Sequence, residues 1–205
     1  MTGLRERKKQ QTRDRLVAEA GRLFAEGGFR ATTMEDIAGA AGVSVGTLYN
    51  YFGTKTIVLL AHVDAQVGEM MDSGRGVLDD PPGDSMRAVQ TLVRIYVDRF
   101  ISMERDVLRE LFAAGFGPVP EVLPELIRLD DLLIDQLGEL LEGFTAPGGL
   151  APGIDVAEAV VLLYSLLVTQ LIMYVSLDGR GPDSLRRAVD RQIEIAFSGL
   201  RGQER

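Results

Sequence analysis

TTMEDIAGAAGVSVGTLYNYFGTK, residues 32–55, reads as two short helices joined by a tight turn. Thr33 is an N-cap residue, and Asp36 three positions on completes a capping box ahead of the apolar pair Ile37 and Ala38. Gly42 follows Ala41 where the first helix must end, and glycine enters the left-handed region that such exits require. Ser44 then caps a second helix, Val45 to Phe52, in which Leu48 and Phe52 lie four apart and turn back toward Ile37 and Ala41. The small Ala38 lets the two helix axes approach closely.

Apolar, small and turn residues at this spacing make the helix-turn-helix arrangement, whose second helix lies in the major groove of DNA. With Leu48 and Phe52 facing inward, Gly46, Thr47, Asn50 and Tyr51 face outward or sideways. Hydroxyls and an amide bond base edges or phosphates, and a glycine permits close backbone approach. Lys55 follows Thr54 at the start of another helix, where free backbone N–H groups and an ammonium together favour a phosphate. The plainer reading is a helical hairpin in a soluble core, with Tyr49 and Tyr51 merely packing.

The stretch GFRATTMEDIAGAAGVSVGTLYNYFGTKTIVLLA resembles the N-terminal DNA-binding domain of TetR-type (tetracycline-repressor-like) bacterial regulators. Gly27, Gly28, Phe29, Thr32, Thr33, Ile37, Ala38, Gly42, Val43, Ser44, Leu48, Tyr49, Phe52 and Lys55 carry the likeness, which stops at Ala61. One departure stands out: Asn50 and Tyr51 occupy positions where the family often has a second aromatic and then a histidine. The resemblance implies DNA contacts from Thr33, Ser44, Val45, Gly46, Thr47, Tyr49, Asn50, Tyr51 and Lys55. It also implies a homodimer in which the last two helices of each subunit form a four-helix bundle. A ligand pocket in the C-terminal part, whose occupation alters the separation of the reading heads and releases DNA, is the third implication.

A chain of 205 residues suits one or two domains and buries a substantial core. Without cysteine there are neither disulfides nor thiolate metal sites, and with a single histidine, His62, no histidine cluster. No cofactor or metal is expected. The net charge of −8 is unevenly spread: residues 1–55 hold nine Lys and Arg against six Asp and Glu, the remainder thirteen against twenty-four. Only the N-terminal quarter is therefore suited to phosphates. The start, MTGLRERKKQQTRDR, is basic but lacks the apolar run of a secretory signal, so a cytoplasmic protein is expected.

Residues 1–10 read as a mobile basic arm suited to touching the DNA backbone, and Leu16, Ala20, Leu23 and Phe24 as the buried stripe of a helix that braces the motif and ends at Gly27-Gly28. A helix capped by Thr54 is expected to run to about Asp72, with His62 on it as a packing or surface residue. Ser73 to Asp84, rich in Gly, Pro and Asp, reads as a loop. The expected division is 1–55 for the helix-turn-helix domain, 56–73 for a linking helix and 74–205 for a regulatory and dimerisation domain. Helical periodicity then continues: Val89, Val93, Tyr96 and Phe100 share one face, Leu108, Leu111 and Phe112 another, and Ile127, Ile134, Leu137 and Leu141 form a later stripe. No segment alternates like a strand, so the fold class is all-α with about nine helices.

Val160 to Leu177 contains no charged residue and is long enough to span a membrane. Its interspersed Tyr164, Ser165, Thr169, Gln170, Tyr174 and Ser176 favour instead a helix buried by its own domain on one side and a second subunit on the other. The last helix carries Leu185, Val189, Ile193 and Phe197 at four-residue steps, a stripe suited to a partner surface. Apolar and aromatic residues with polar tips, namely Tyr96, Phe100, Phe112, Phe116, Tyr164, Gln170 and Tyr174, are the candidate lining of an effector pocket, or else ordinary core. The expected function is a dimeric regulator of double-stranded DNA, a repressor released from a palindromic operator by a hydrophobic or amphipathic small molecule. An architectural or division-control protein on the same scaffold is the alternative. An enzyme ranks last, for want of a nucleophile–base pair, metal cluster or phosphate loop.

Overall fold

Ten helices and no strand make up the described residues, 2–115, 122–144, 150–151 and 153–200, of a computed structural model. The all-α expectation is met. Compactness, however, does not follow the sequence divisions. One unit, here the head, comprises Met1–Gly68 together with Glu104–Ile127; the other, the body, comprises Glu69–Met103 and Arg128–Arg205.

In the head, α1 (Thr2–Gly27) packs against α2 (Met34–Ala40) and α4 (Lys55–Ala65), and α3 (Val45–Phe52) against α2 and α4. The capping box forms as read: Asp36 N–H donates to Thr33 Oγ1 at 3.1 Å and Thr33 N–H to Asp36 Oδ2 at 2.9 Å. Gly28 and Gly42 take the positive φ values, 79° and 65°, that let the chain leave α1 and α2. Ile37, Ala38, Ala41, Leu48 and Phe52 are buried, as are Leu16, Ala20 and Phe24 of α1. Helix α7 (Arg105–Gly115), C-terminal to much of the body, also belongs to the head: it packs on α4 and buries Val107, Leu108 and Leu111.

Three local expectations are corrected. The basic N-terminus is not an arm, because α1 begins at Thr2; Arg, Glu, Lys and Gln are good helix formers, and the buried half of α1 supplies the nucleus from which they propagate. The helix from Thr54 does not run through to Asp72. It ends at Gln66, whose N–H donates to Val63 O at 3.0 Å, and α5 (Val67–Asp79) begins anew. Most of the expected Ser73–Asp84 loop is thus helical. Gly74 sits inside α5 because a methyl there would overlap the Gln136 carboxamide, so this glycine serves packing rather than a turn. His62 packs likewise, its ring filling the space that a side chain on Gly21 of α1 would need and its Nε2 lying 3.1 Å from Gln66 Nε2.

The body is built from α6 (Ser85–Ile101), α9 (Val156–Ser176), α10 (Pro182–Leu200) and most of α5 and of α8 (Val122–Gly143). Its core is Val89, Leu92 and Val93 of α6, Leu137 and Leu141 of α8, Leu163 and Leu167 of α9, and Leu185 and Phe197 of α10. The expected α8 stripe is shifted: Leu133, Leu137, Leu140 and Leu141 are buried, whereas Ile127 is 49% exposed. A second shift concerns α10. Its whole stripe, Leu185, Val189, Ile193 and Phe197, is at most 5% exposed and is used up within the chain, where α10 packs on α6 and α9.

Hydrogen bonds from Thr33 hold the Asp36 carboxyl below its ordinary value of 3.8. A carboxylate with a depressed folded-state pKa contributes stability above its unfolded value and loses it as pH falls through the folded one. Acidification below about pH 4 is therefore expected to destabilise the wild-type chain more steeply than Asp36→Asn. Urea unfolding of both proteins across that range checks this; parallel pH slopes would sink it.

Candidate nucleic-acid interface

Ser44 starts α3 by accepting the Thr47 N–H at 3.2 Å, and its Oγ lies 2.8 Å from Thr47 Oγ1, so these two hydroxyls are engaged with each other at the helix N-terminus. The anchors Leu48 and Phe52 are 0% and 6% exposed. Their burial leaves Gly46, Tyr49 and Asn50 on the open side, with Val45, Thr47 and Tyr51 half-buried beside them. A methyl at Gly46 would meet nothing closer than Ser44 Oγ at 4.0 Å. Packing within the chain thus does not require glycine there. Thr33 is exposed, but its hydroxyl donates to Asp36 Oδ2 at 2.6 Å within the capping box.

Lys55 is placed differently from the phosphate-facing ammonium the sequence suggests. Its Nζ donates to Phe29 O and Thr32 O, each at 2.7 Å, lies 3.4 Å from Arg30 O, and stands 4.4 Å from the centre of the Phe29 ring. Three carbonyls take up the three N–H directions of an ammonium. Burial lowers the Lys55 pKa, while the Glu110 carboxylate of α7 acts the other way. Glu110 also pairs with Arg30 at 3.1 Å. Lys55 therefore ties the α1–α2 turn to the start of α4.

The first turns of α1 add residues that the site reading missed. A shallow open groove is lined by Arg5, Glu6, Lys8, Lys9 and Thr12 from α1 and by Asn50 and Tyr51 from α3. Farther along α1, the Arg13 guanidinium lies 5.5 Å from the centre of the Phe52 ring, which joins the two helices. The signal was present in the sequence: residues 5, 8, 9 and 12 have the spacing of one helical face. Reading residues 1–10 as a mobile arm on the DNA backbone left out their helical register.

The tentative pocket residues fall apart by unit. Tyr96, Phe100, Tyr164, Gln170 and Tyr174 belong to the body, Phe112 to α7 of the head, and Phe116 lies outside the described residues. In the body, Tyr96 Oη donates to Gln136 Oε1 at 2.9 Å, and Gln136 Nε2 donates to Met71 O at 3.1 Å. Gln136 is 2% exposed, and burial pushes the Tyr96 hydroxyl up to about 12. Gln170 is buried and accepts from Arg180 Nη1 at 3.1 Å, and burial raises the pKa of the Tyr164 hydroxyl, with the Asp130 carboxylate acting in the same direction.

Comparison with known proteins agrees with this geometry. The sequence model for bacterial regulatory proteins of the tetR family matches residues 16–61, which run from α1 into α4. Residues 16–61 of the chain are thus a DNA-binding domain of the TetR type. The repressor KstR2 of Rhodococcus jostii (strain RHA1) is 43% identical over 72 residues, 35% of this chain and 30% of that protein. The activator FasR of Mycolicibacterium smegmatis (strain ATCC 700084 / mc(2)155) is 25% identical over 193 residues, covering 94% of this chain and 84% of that one. The matched stretch spans only 27%, 30% and 28% of the regulators YerO, KstR2 and TcmR. Among solved structures, the TetR-family repressor FadR of Thermus thermophilus, in complex with lauroyl-CoA, has the same fold: TM-score 0.73, 24% identity, 94% of this chain and 97% of that one.

Within this TetR-type domain, Lys55→Met keeps the bulk of the side chain and removes the donors to the turn carbonyls. It should cost about 1.5–3 kcal/mol of stability, the range for hydrogen bonds to a charged group. Unchanged urea stability with lost DNA binding would return Lys55 to the phosphate-contacting set. Tyr96→Phe leaves the buried Gln136 carbonyl without its donor and should cost about 1–3 kcal/mol by the same measurement.

Proposed function

We propose that this chain is a dimeric, sequence-specific DNA-binding regulator of transcription. It acts in the cytoplasm as a repressor that leaves a palindromic operator when its body takes up a hydrophobic or amphipathic small molecule. The observation that carries the reading is the seating of α3: Leu48 and Phe52 are sunk in the head, and Gly46, Tyr49 and Asn50 stand on its open side. Tyr49, 48% exposed, is a large aromatic with no burial to gain inside the chain. Val45, Thr47 and Tyr51 complete the reading edge, while Thr33, Ser44 and Lys55 set its geometry.

Dimerisation is supported by what α9 leaves uncovered. This helix is long and apolar enough to cross a membrane, with mean hydropathy 2.0, yet only 28% of its most apolar window is buried within the chain. Val161, Leu162 and Ile172 of α9 and Ile195 of α10 are 61%, 41%, 41% and 58% exposed. Ser165 and Thr169 share the open face with Leu162 and Ile172. Their hydroxyls donate back to Val161 O and Ser165 O at 2.7 and 2.8 Å, so both are satisfied before any partner arrives. A face of this kind is dried at little cost, and a second copy supplies a like surface. Two-fold pairing would offer two α3 helices to successive major grooves about 34 Å apart.

The effector reading rests on the body's Tyr96, Phe100, Tyr164, Gln170 and Tyr174, which combine aromatic surface with polar tips. A ligand releases DNA only if it favours the released geometry over the bound one. Lauroyl-CoA and stearoyl-CoA, named in the complexes of two FadR proteins of similar fold, are the first probes to try.

Binding to a duplex selected by the protein from a random-sequence pool tests the reading. Tyr49→Ala and Asn50→Ala should each lose about ten- to a hundredfold in affinity for that duplex, the range for a lost base contact. Selection of no preferred duplex, or undiminished binding by the double variant, would overturn it. Val161→Glu with Ile172→Glu should sediment as a monomer and bind the palindrome weakly. A variant pair that remains dimeric would move the interface elsewhere.

A further inference from the structure

Beside α3 lies a row of cations with no ion-pair partner among the described residues. Arg5, Lys8, Lys9 and Thr12 follow one another at the spacing of a single face of α1, and the face opens on the groove it shares with Asn50 and Tyr51. Among the described residues no carboxylate lies within ion-pair distance of Arg5, Lys8 or Lys9. Several arginines elsewhere are matched: Arg22 to Glu19 and Glu26, Arg75 to Glu139, Arg94 to Asp190, and Arg186 to Asp98 and Asp183. Like charges three and four apart destabilise an isolated helix, so this stripe works against the helix that bears it unless an anion lies along it.

We propose that the first three turns of α1 form a phosphate clamp. Arg5, Lys8 and Lys9 grip the duplex backbone flanking the base pairs that α3 reads. The inference rests on the DNA-binding reading above and extends the footprint of each head beyond α3. Its occupant is a polyanion because three unpaired cations line one groove against a single carboxylate, Glu6. It is the same duplex because Asn50 and Tyr51 of α3 form the other wall.

The clamp is ready in advance. Leu16, Val17 and Ala20 root α1 in the head core, Arg13 rests on the Phe52 ring, and α1 is helical from Thr2. Binding therefore need not order a loose arm, and little conformational entropy is lost. Contacts to phosphate carry no sequence information, so the clamp contributes affinity and orientation and leaves base preference to α3. Glu6 sits among the cations as a brake.

The test compares wild type with the triple variant Arg5→Gln, Lys8→Gln, Lys9→Gln on the selected duplex and on an unrelated one over a series of salt concentrations. The slope of log affinity against log salt should become shallower by about 2–3 for each head, since each neutralised phosphate contributes about 0.9. Affinity should fall in parallel on both duplexes, with their ratio unchanged. Glu6→Gln should bind more tightly than wild type on both. The triple variant should melt no lower than wild type, because it loses only mutual repulsion.

Equal slopes in wild type and triple variant, with wild type binding its duplex, overturn the clamp and leave the regulator reading intact. A changed duplex preference overturns it as well, by giving the stripe a base-reading role. Wild type that selects no duplex sinks both. Charge-dependent capture of the protein by phosphatidylglycerol vesicles, with DNA slopes equal, would assign the stripe to a membrane surface instead.

Discussion

An eight-residue helix does not persist alone in water, because forming its first turn costs more conformational entropy than its few hydrogen bonds return. Helix α3 exists because Leu48 and Phe52 are buried against α2 and α4, and that burial simultaneously decides which residues remain outside. The exposed face of α3 and the core beneath it are thus two sides of one constraint. The Thr33 and Ser44 caps and the positive-φ Gly42 set the helix ends that deliver those two side chains to their places.

Lys55 shows how tightly the surroundings are drawn. A cation on three carbonyls and an aromatic face closes the turn between α1 and α2 onto α4, and Glu110 of α7 adds a carboxylate near the same turn. Helix α7 thereby becomes a strut of the head although it follows α5 and α6 of the body in sequence.

The body divides its apolar residues by purpose. Its α10 stripe is consumed by packing on α6 and α9, while α9 keeps apolar residues on an open face whose hydroxyls are already satisfied. Within that packing lies a small polar knot, Tyr96 to Gln136 to Met71, for which Gly74 makes room. A buried carboxamide with matched partners fixes the relative placement of α5, α6 and α8 more narrowly than apolar contact alone, since any slip leaves a polar group unpaired.

Local chemistry was legible directly. The caps at Thr33, Ser44 and Thr54, the exits at Gly28 and Gly42, the all-α class and the inward stripe of α3 each depend on residues within a few positions of one another, where spacing and steric preference suffice. The periodicity of α10 was visible too, but not what would cover it. Whether Gly74 marks a turn or a close approach, whether Lys55 meets a phosphate or three carbonyls, and which unit claims α7 are decided by groups tens of residues away. A sequence records which faces must be buried or paired; only the folded chain settles which neighbour does it, because burial and hydrogen bonding are satisfied by whatever packing brings near, irrespective of distance along the chain.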